Sequence, residues 1–305
     1  MILGPTASGK TGLAHNLAKQ LDGEIISVDS RQCYKRIDIG TAKPGRKLLQ
    51  EVRYYNISIL DLSESDSAAS FANRAMEWEK DIISRGKKVI YAGGSTLHLR
   101  SILQPFDELP ESSSDNLAKL EEEASSKGIE SLFLKLKKVD PQYASGMDGM
   151  NRQRILRALD VWMQTGRPFS SFHQKKKIVP PPNLFVFGLK WPRKLLHQRI
   201  NERVDYMISE GLVEETKSIL HDGYAPGLQS LQTVGYRDVI RYLDGEISHE
   251  QMIADIKTQT RRYAKRQITW FRRWPFIKWL EANAMDGSEL AETVKQGLAA
   301  NLNKG

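Results

Sequence analysis

The first residues capable of chemistry form a loop near the amino terminus. They are Gly4, Pro5, Thr6, Ala7, Ser8, Gly9, Lys10 and Thr11, and they match the pattern G-x-x-x-x-G-K-[ST] in full. In such a loop backbone amides converge on an anion, and the N-terminus of the following helix adds partial positive charge. We expect Lys10 to hold terminal phosphate oxygens and the Thr11 hydroxyl to face a Mg²⁺ ion. The motif predicts a pyrophosphate or polyphosphate ligand without naming it.

A second candidate is the carboxylate of Asp29, which follows the apolar stretch GEIISV. That stretch predicts a strand, and ligands of open α/β sheets bind at the carboxyl ends of the strands. At this edge Asp29 is a candidate Mg²⁺ ligand, ribose partner or general base. An aspartate that only caps a helix or shapes a turn fits the position equally well.

The elements that must position these groups alternate along the chain. After the loop, Leu13, Leu17 and Leu21 recur at helical spacing. Residues 71–86 then predict a helix, and the apolar runs KKVIYAGGS and LFVFGLKW predict two more strands. This order indicates an α/β fold with a P-loop NTPase-like parallel sheet and right-handed crossovers.

The alternation is interrupted in the middle of the chain. It stops near FDELPESSSD, helical patterns follow to about Phe172, and the proline-rich connector HQKKKIVPPPN leads back to a strand. We therefore expect an all-helical insertion domain over residues 108–180. The α/β core would comprise residues 1–107 and 181–305, the latter with a helical C-terminal part.

Composition and charge narrow the class of protein. The 305 residues carry a formal net charge of +8, which favours a polyanionic partner such as nucleic acid over charge kept only for solubility. No apolar run approaches the length of a membrane span, and no secretory signal pattern is present. The single cysteine, Cys33, has no internal disulfide partner. These features predict a cytoplasmic protein without membrane association.

Several segments together resemble the tRNA dimethylallyltransferases, also called tRNA isopentenyltransferases. The resemblance begins with GPTASGKT and ISVDSRQCYKRIDIGTAKP, and AGGSTLHLRSIL is similar to the family segment G-G-T-x-x-Y. NRQRILRALDVWMQTGRPFS resembles the insertion-domain helix, while LQTVGYRDVIRYLDGEIS and TRRYAKRQITWFRRW resemble the C-terminal signatures. The resemblance extends from about Gly4 to Trp274. Several long motifs in the same order identify a family more specifically than any single motif does.

The resemblance implies transfer of a dimethylallyl group from dimethylallyl pyrophosphate to N6 of adenosine 37 in tRNA. The loop would then hold the donor's pyrophosphate. Asp29 aligns with the family's general base, whereas Lys10, the Mg²⁺ on Thr11 and Arg237 of VGYRD are implied to stabilise the leaving pyrophosphate. Ser95 falls where the family has a catalytic threonine, and Thr96 is the alternative match to that threonine. His98 falls on the family's tyrosine, and we assign it no role.

The resemblance also implies contacts with the anticodon stem-loop of tRNA. The implied contact residues are Asp29, Ser30, Arg31 and Gln32, then Gln153, Arg154, Ile155, Leu156 and Arg157. In TRRYAKRQITWFRRWPF we expect aromatic side chains in the core and basic ones, Lys265 included, towards RNA. The target base would be flipped into a channel. We expect a monomer.

Two functions of other classes stay open at this point. A small-molecule or nucleotide kinase would use the same loop for ATP, although VIYAGG ends without an acid for Mg²⁺ and no arginine-rich lid is evident. A non-catalytic RNA-binding protein would keep the loop as a relic.

Overall fold

A parallel sheet of six strands forms the centre of the computed structural model, which describes residues 1–104, 109–172 and 178–302. The strands are β1 Ile2–Leu3, β2 Gly23–Val28, β3 Tyr54–Tyr55, β4 Lys88–Gly93, β5 Phe187–Lys190 and β6 Lys278–Glu281. Their order is β3-β2-β4-β1-β5-β6, and every neighbouring pair is parallel. The predicted α/β class with a parallel sheet is confirmed.

Helices connect the strands and continue after them. They are α1 Lys10–Gln20, α2 Arg46–Glu51, α3 Ala68–Ser84, α4 Thr96–Leu103, α5 Ser114–Lys127, α6 Ile129–Val139, α7 Pro141–Ser145, α8 Arg152–Thr165, α9 Arg193–Ser209, α10 Leu212–His221, α11 Tyr236–Leu243, α12 His249–Phe271 and α13 Gly287–Leu302. Within the described ranges, no helix combines the length and apolar character that crossing a bilayer requires.

The two faces of the sheet bury separate hydrophobic cores because side chains alternate along each strand. On β2, Ile26 and Val28 pack with Phe71 of α3. Ile25 of the same strand packs on the other face with Leu13 and Leu17 of α1. The spacing of the α1 leucines therefore reflects one buried helix face, as the sequence pattern predicts.

Contacts divide the chain into two compact units, Met1–Pro105 with Ile178–Gly305, and Phe106–Lys177. The predicted boundary at 107–108 lies outside the described residues, as does the first part of the connector, residues 173–177. The second unit contains α5 to α8 around its own core, with Leu132, Leu136 and Ile155 fully buried. Asp160 is also buried there, and its carboxylate accepts from Arg157 at 2.7 Å.

Some elements carry no clear pattern in the sequence. Strand β3 has only two residues, Tyr54 and Tyr55, and pairs with Ile25 and Ile26 of β2. Two residues are too few to establish the alternation that identifies a strand. Its position became evident only from the pairing.

Candidate active site

The GPTASGKT loop joins β1 to α1, and side chains distant in sequence donate hydrogen bonds to its backbone carbonyls. Gly9 has φ of 90°, a left-handed conformation that glycine adopts without steric cost. The carbonyl of Ser8 accepts from Trp191 Nε1 at 3.0 Å, and that of Ala7 accepts from Arg199 Nε at 2.9 Å. The loop is thus anchored before any ligand arrives.

Lys10 begins α1 and donates from Nζ to the carbonyl of Pro5 at 2.7 Å. The pKa of Lys10 is lowered to about 7, mainly by burial and secondly by the nearby charge of Arg203, while Asp29 opposes the shift. An anion beside Lys10 would favour the charged form. The environment of Lys10 therefore fits a site built for a negatively charged ligand.

A cleft of about 90 Å³ lies against the loop. Thr6, Lys10, Thr11 and Asp29 line it together with Arg203 of α9. Arg203 donates from Nη1 to the hydroxyl of Thr6 at 3.3 Å, and burial lowers its pKa while Asp29 opposes that shift. Two half-buried cations and one carboxylate consequently meet beside the phosphate loop.

Asp29 directly follows β2 and lies where this cleft meets a cavity of about 250 Å³. Its Oδ1 accepts from the backbone amides of Arg31 at 2.8 Å and Gln32 at 3.2 Å. Within the described ranges Oδ2 has no hydrogen-bond donor. The turn therefore orients the carboxylate and leaves one oxygen available to a substrate proton.

Gly93, the last residue of β4, and Gly94 after it line one side of the cleft. A Cβ atom on Gly94 would lie 2.5 Å from Nε2 of Gln267, which donates to the carbonyl of Gly94 at 2.8 Å. Oε1 of Gln267 accepts from the amide of Thr6 at 2.9 Å. Ser95 comes next and is buried, with its hydroxyl 3.0 Å from His98 Nδ1.

The donor set of the cleft suits a magnesium ion that is shared with a ligand. The described residues contain no cluster of three or more histidine, cysteine or acidic side chains. Mg²⁺ commonly takes one or two protein oxygens and completes its shell with phosphate oxygens and water. Thr11 offers one hydroxyl to such an ion within the cleft.

Of the residues with an expected tRNA contact, three near Asp29 lie at the site. Ser30 and Arg31 line the 250 Å³ cavity, and Gln32 lines the cleft. Gln32 donates from Nε2 to the carbonyl of Thr41 at 3.1 Å, which ties the segment DSRQ to the following loop.

The other expected segment belongs to α8 in the second unit. Gln153 and Arg154 are exposed, whereas Ile155 and Leu156 are core residues. The Arg157 guanidinium pairs with Asp160 at 2.7 Å and so has a structural partner. The geometry therefore leaves Gln153 and Arg154 as the accessible members of this segment.

The expectation that the aromatic side chains of TRRYAKRQITWFRRWPF lie in the core is met only in part. Phe271 and Trp274 are buried, but Tyr263 on α12 is 37% exposed and lines the cleft, and Lys265 is exposed. Lys265 lines a third cavity, of about 730 Å³, with Arg261 and Arg262. This cavity reaches the loop only at Pro5, so Lys265 does not line the cleft that contains Asp29.

Comparison with known proteins assigns the family. The model of a family described as IPP transferase matches residues 32–274. The chain belongs to the IPP transferase family. The resemblance that the motifs indicate is confirmed.

Relatives of this family cover almost the whole chain. The chain is 41% identical over 309 residues to a tRNA dimethylallyltransferase of Thermoanaerobacter sp. (strain X514), covering 99% of this chain and 98% of the relative. It is 36% identical to the crystal structure of a tRNA isopentenylpyrophosphate transferase from Bacillus halodurans, with a TM-score of 0.73 and coverage of 99% and 96%. A structure of a eukaryotic dimethylallyltransferase acting on tRNA is 27% identical with a TM-score of 0.77, covering 92% of this chain and 73% of that one.

Within this family member, sequence reasoning missed Arg203 and Gln267. Arg237, which the motif VGYRD suggested, is exposed and donates to Gln259 Oε1, and it does not line the cleft. Arg203 lies in a helix rich in charged residues, where nothing distinguishes it from solvent-facing neighbours. Only the packing of α9 beside the loop identifies it.

Proposed function

We propose that this protein transfers the dimethylallyl group of dimethylallyl pyrophosphate to N6 of adenosine 37 in tRNA and releases pyrophosphate. The observation that carries the proposal is the position of Asp29 between the phosphate cleft and an open cavity, with one carboxylate oxygen that no donor of the described residues reaches. The names of the relatives, tRNA dimethylallyltransferases, support the same reaction.

The donor's pyrophosphate would lie on the GPTASGKT loop. Lys10 and Arg203 would pair with its oxygens, and we assign to Arg203 the role that the motif suggested for Arg237. Positive groups aimed at a leaving group act most strongly where charge develops in the transition state. Thr11 would hold Mg²⁺, which supplies further charge neutralisation for the departing pyrophosphate when bound.

Asp29 would act as the general base. The exocyclic amine of adenine is a poor nucleophile because its lone pair is delocalised into the ring. As the new C–N bond forms and the allylic C–O bond breaks, Oδ2 accepts the N6 proton and pyrophosphate leaves with the bonding electrons. Such proton transfer contributes typically about 10²–10⁴-fold to the rate.

The acceptor would enter from the 250 Å³ cavity, because Ser30 and Arg31 line it next to Asp29. Adenosine 37 must leave its stack to reach this depth, so we propose base flipping. Arg154 and Lys265, both exposed, are the cations that we assign to tRNA phosphates.

Incubation with Mg²⁺, labelled dimethylallyl pyrophosphate and an anticodon stem-loop with adenosines at positions 36, 37 and 38 tests the proposal. We expect label in the RNA, and none when adenosine 37 is replaced by guanosine. Transfer of γ-phosphate from ATP to an acceptor, without label in RNA, would establish the kinase alternative. Tight RNA binding with neither reaction would favour the relic loop.

A further inference from the structure

A hydrogen-bonded chain of three side chains reaches the phosphate cleft from the protein surface. Glu51, at the end of α2, lies 3.2 Å from Nε2 of His15, a buried residue of α1. Nδ1 of the same ring lies 3.1 Å from the hydroxyl of Tyr54 on β3, and the two rings stack. Tyr54 lines the cleft with Lys10 and Thr11, and no step proposed above uses it.

The chemistry of the three groups determines where the protons lie. The pKa of Glu51 is lowered, first by its hydrogen bond from Lys19 and then by His15, so the carboxylate only accepts. The His15 tautomer with its proton on Nε2 donates to this carboxylate and presents Nδ1 as the acceptor for the Tyr54 hydroxyl. Burial raises the pKa of Tyr54 to about 12, so its hydroxyl keeps its proton and donates it to Nδ1.

This arrangement makes the Tyr54 oxygen an acceptor towards the cleft. Phosphate oxygens are acceptors as well, so a diphosphate oxygen is a poor partner for it. Lys10 donates to Pro5, and its remaining donors are assigned above to the pyrophosphate oxygens. The water molecules around a magnesium ion are donors, and Mg²⁺ usually keeps several of them. His15 lies four residues after Thr11 on α1, which brings the chain of hydrogen bonds to the side of the cleft where Thr11 offers its hydroxyl.

We propose that Tyr54, oriented by His15 and Glu51, is a positioning residue for the hydrated magnesium–pyrophosphate complex and accepts a hydrogen bond from a metal-bound water. The proposal rests on the proposed function, because it requires a diphosphate on the loop. Outer-sphere partners of this kind orient a metal's ligands, and their loss typically weakens metal affinity about 10–100-fold.

The experiment uses Mn²⁺ as a spin-active substitute and inorganic pyrophosphate as the probe. Free Mn²⁺ is measured by electron paramagnetic resonance in the presence of the full-length protein saturated with pyrophosphate. Pyrophosphate affinity without metal is measured in parallel by calorimetry. The variant is Tyr54→Phe, and the matched control is Tyr55→Phe, the next residue on β3, whose hydroxyl bonds Glu24 and Asp81 instead of the cleft.

We expect Tyr54→Phe to weaken Mn²⁺ binding about tenfold and to leave metal-free pyrophosphate affinity within about twofold. Tyr55→Phe should change neither quantity. His15→Phe, which keeps a ring without an acceptor, should reproduce the loss of Mn²⁺ affinity seen for Tyr54→Phe.

Three results would overturn the inference. The first is unchanged Mn²⁺ affinity in Tyr54→Phe, and the second is an equal loss in Tyr55→Phe. The third is a loss of metal-free pyrophosphate affinity in Tyr54→Phe, which would make the hydroxyl a donor to phosphate. If the unaltered protein binds no pyrophosphate, the proposed function fails as well, and that result differs from the other three.

Discussion

Neighbouring tyrosines of β3 belong to polar networks on opposite faces of the sheet, and the two networks differ in how completely their charges are paired. On one face Tyr55 donates to Glu24 at 2.8 Å, and Arg85 donates to both oxygens of Glu24 at 2.5 and 2.7 Å. The hydrogen bond from Arg85 is the largest cause that lowers the pKa of Glu24. This network is closed because each charge has a partner.

On the other face the charges around the cleft are less completely compensated. Burial lowers the pKa of both Lys10 and Arg203, which means that the surroundings disfavour their positive charge. Asp29 opposes both shifts but leaves one oxygen without a donor in the described part of the chain. A closed network stabilises the fold, whereas an open one favours binding of a ligand of complementary charge.

The largest expected effect is on the open network. Asp29→Asn keeps the acceptor for the Arg31 and Gln32 amides but cannot take up a proton, so we expect kcat to fall about 10³-fold. Affinity for tRNA should stay within about threefold. Single-turnover transfer and filter binding measure the two quantities. Equal losses of both would contradict the general-base role.

Replacing one cleft arginine should affect donor binding next most strongly. Because Arg203 lies beside the loop, Arg203→Ala should weaken pyrophosphate binding about 30-fold, within the range for a lost buried charge-assisted hydrogen bond. Arg237→Ala, the matched control outside the cleft, should change it less than about threefold. Calorimetric titration distinguishes them, and the opposite ranking would return the role to Arg237.

For the closed network we expect a loss of stability instead of activity. Glu24→Gln should lower the free energy of unfolding by about 2 kcal/mol at neutral pH, while kcat of the folded protein stays within about twofold. The folded pKa of Glu24 is below its ordinary value of 4.5, so its contribution is complete above that value. It is lost as pH falls through the folded pKa.

Urea unfolding between about pH 3 and 7 measures this dependence. The difference between the original protein and Glu24→Gln should be constant at the upper end and shrink towards the lower end. A difference that grows as pH falls would contradict the assignment.

The smallest expected effect is on tRNA binding by the second unit, where one arginine without an ionic partner within the described ranges can be compared with one that is paired. Arg154 is exposed, and its guanidinium makes no ion pair with an acidic side chain of the described residues. Arg154→Ala should therefore weaken tRNA binding about fivefold and reduce the salt slope by about one. Arg157 is paired with the buried Asp160, so Arg157→Ala should mainly lower stability. Binding titrations at several salt concentrations, with thermal unfolding alongside, distinguish the two. A shallower slope for Arg157→Ala alone would reverse the assignment.

Much of the fold was predictable because it depends on local pattern. The alternation of apolar runs and helical spacing identified β2, β4, β5 and α1, and hence the parallel sheet. The strand β3 was not predictable, because two residues show no period. The stretch Gln153 to Arg157 illustrates a further limit: its motif does not distinguish exposed Arg154 from core Ile155 or from paired Arg157.

When all residues of a site lie in one short segment, the sequence of that segment is enough to predict their roles. For this reason GPTASGKT alone indicated a diphosphate ligand, a lysine contact to it and a hydroxyl for magnesium. Arg203 follows only from folding, since α9 brings it across 197 residues to Thr6. The same is true of Gln267 and of the pair His15 and Tyr54. Sequence spacing carries no information about distances between separate elements, and those distances determine which of 45 basic side chains share a buried cleft with Asp29.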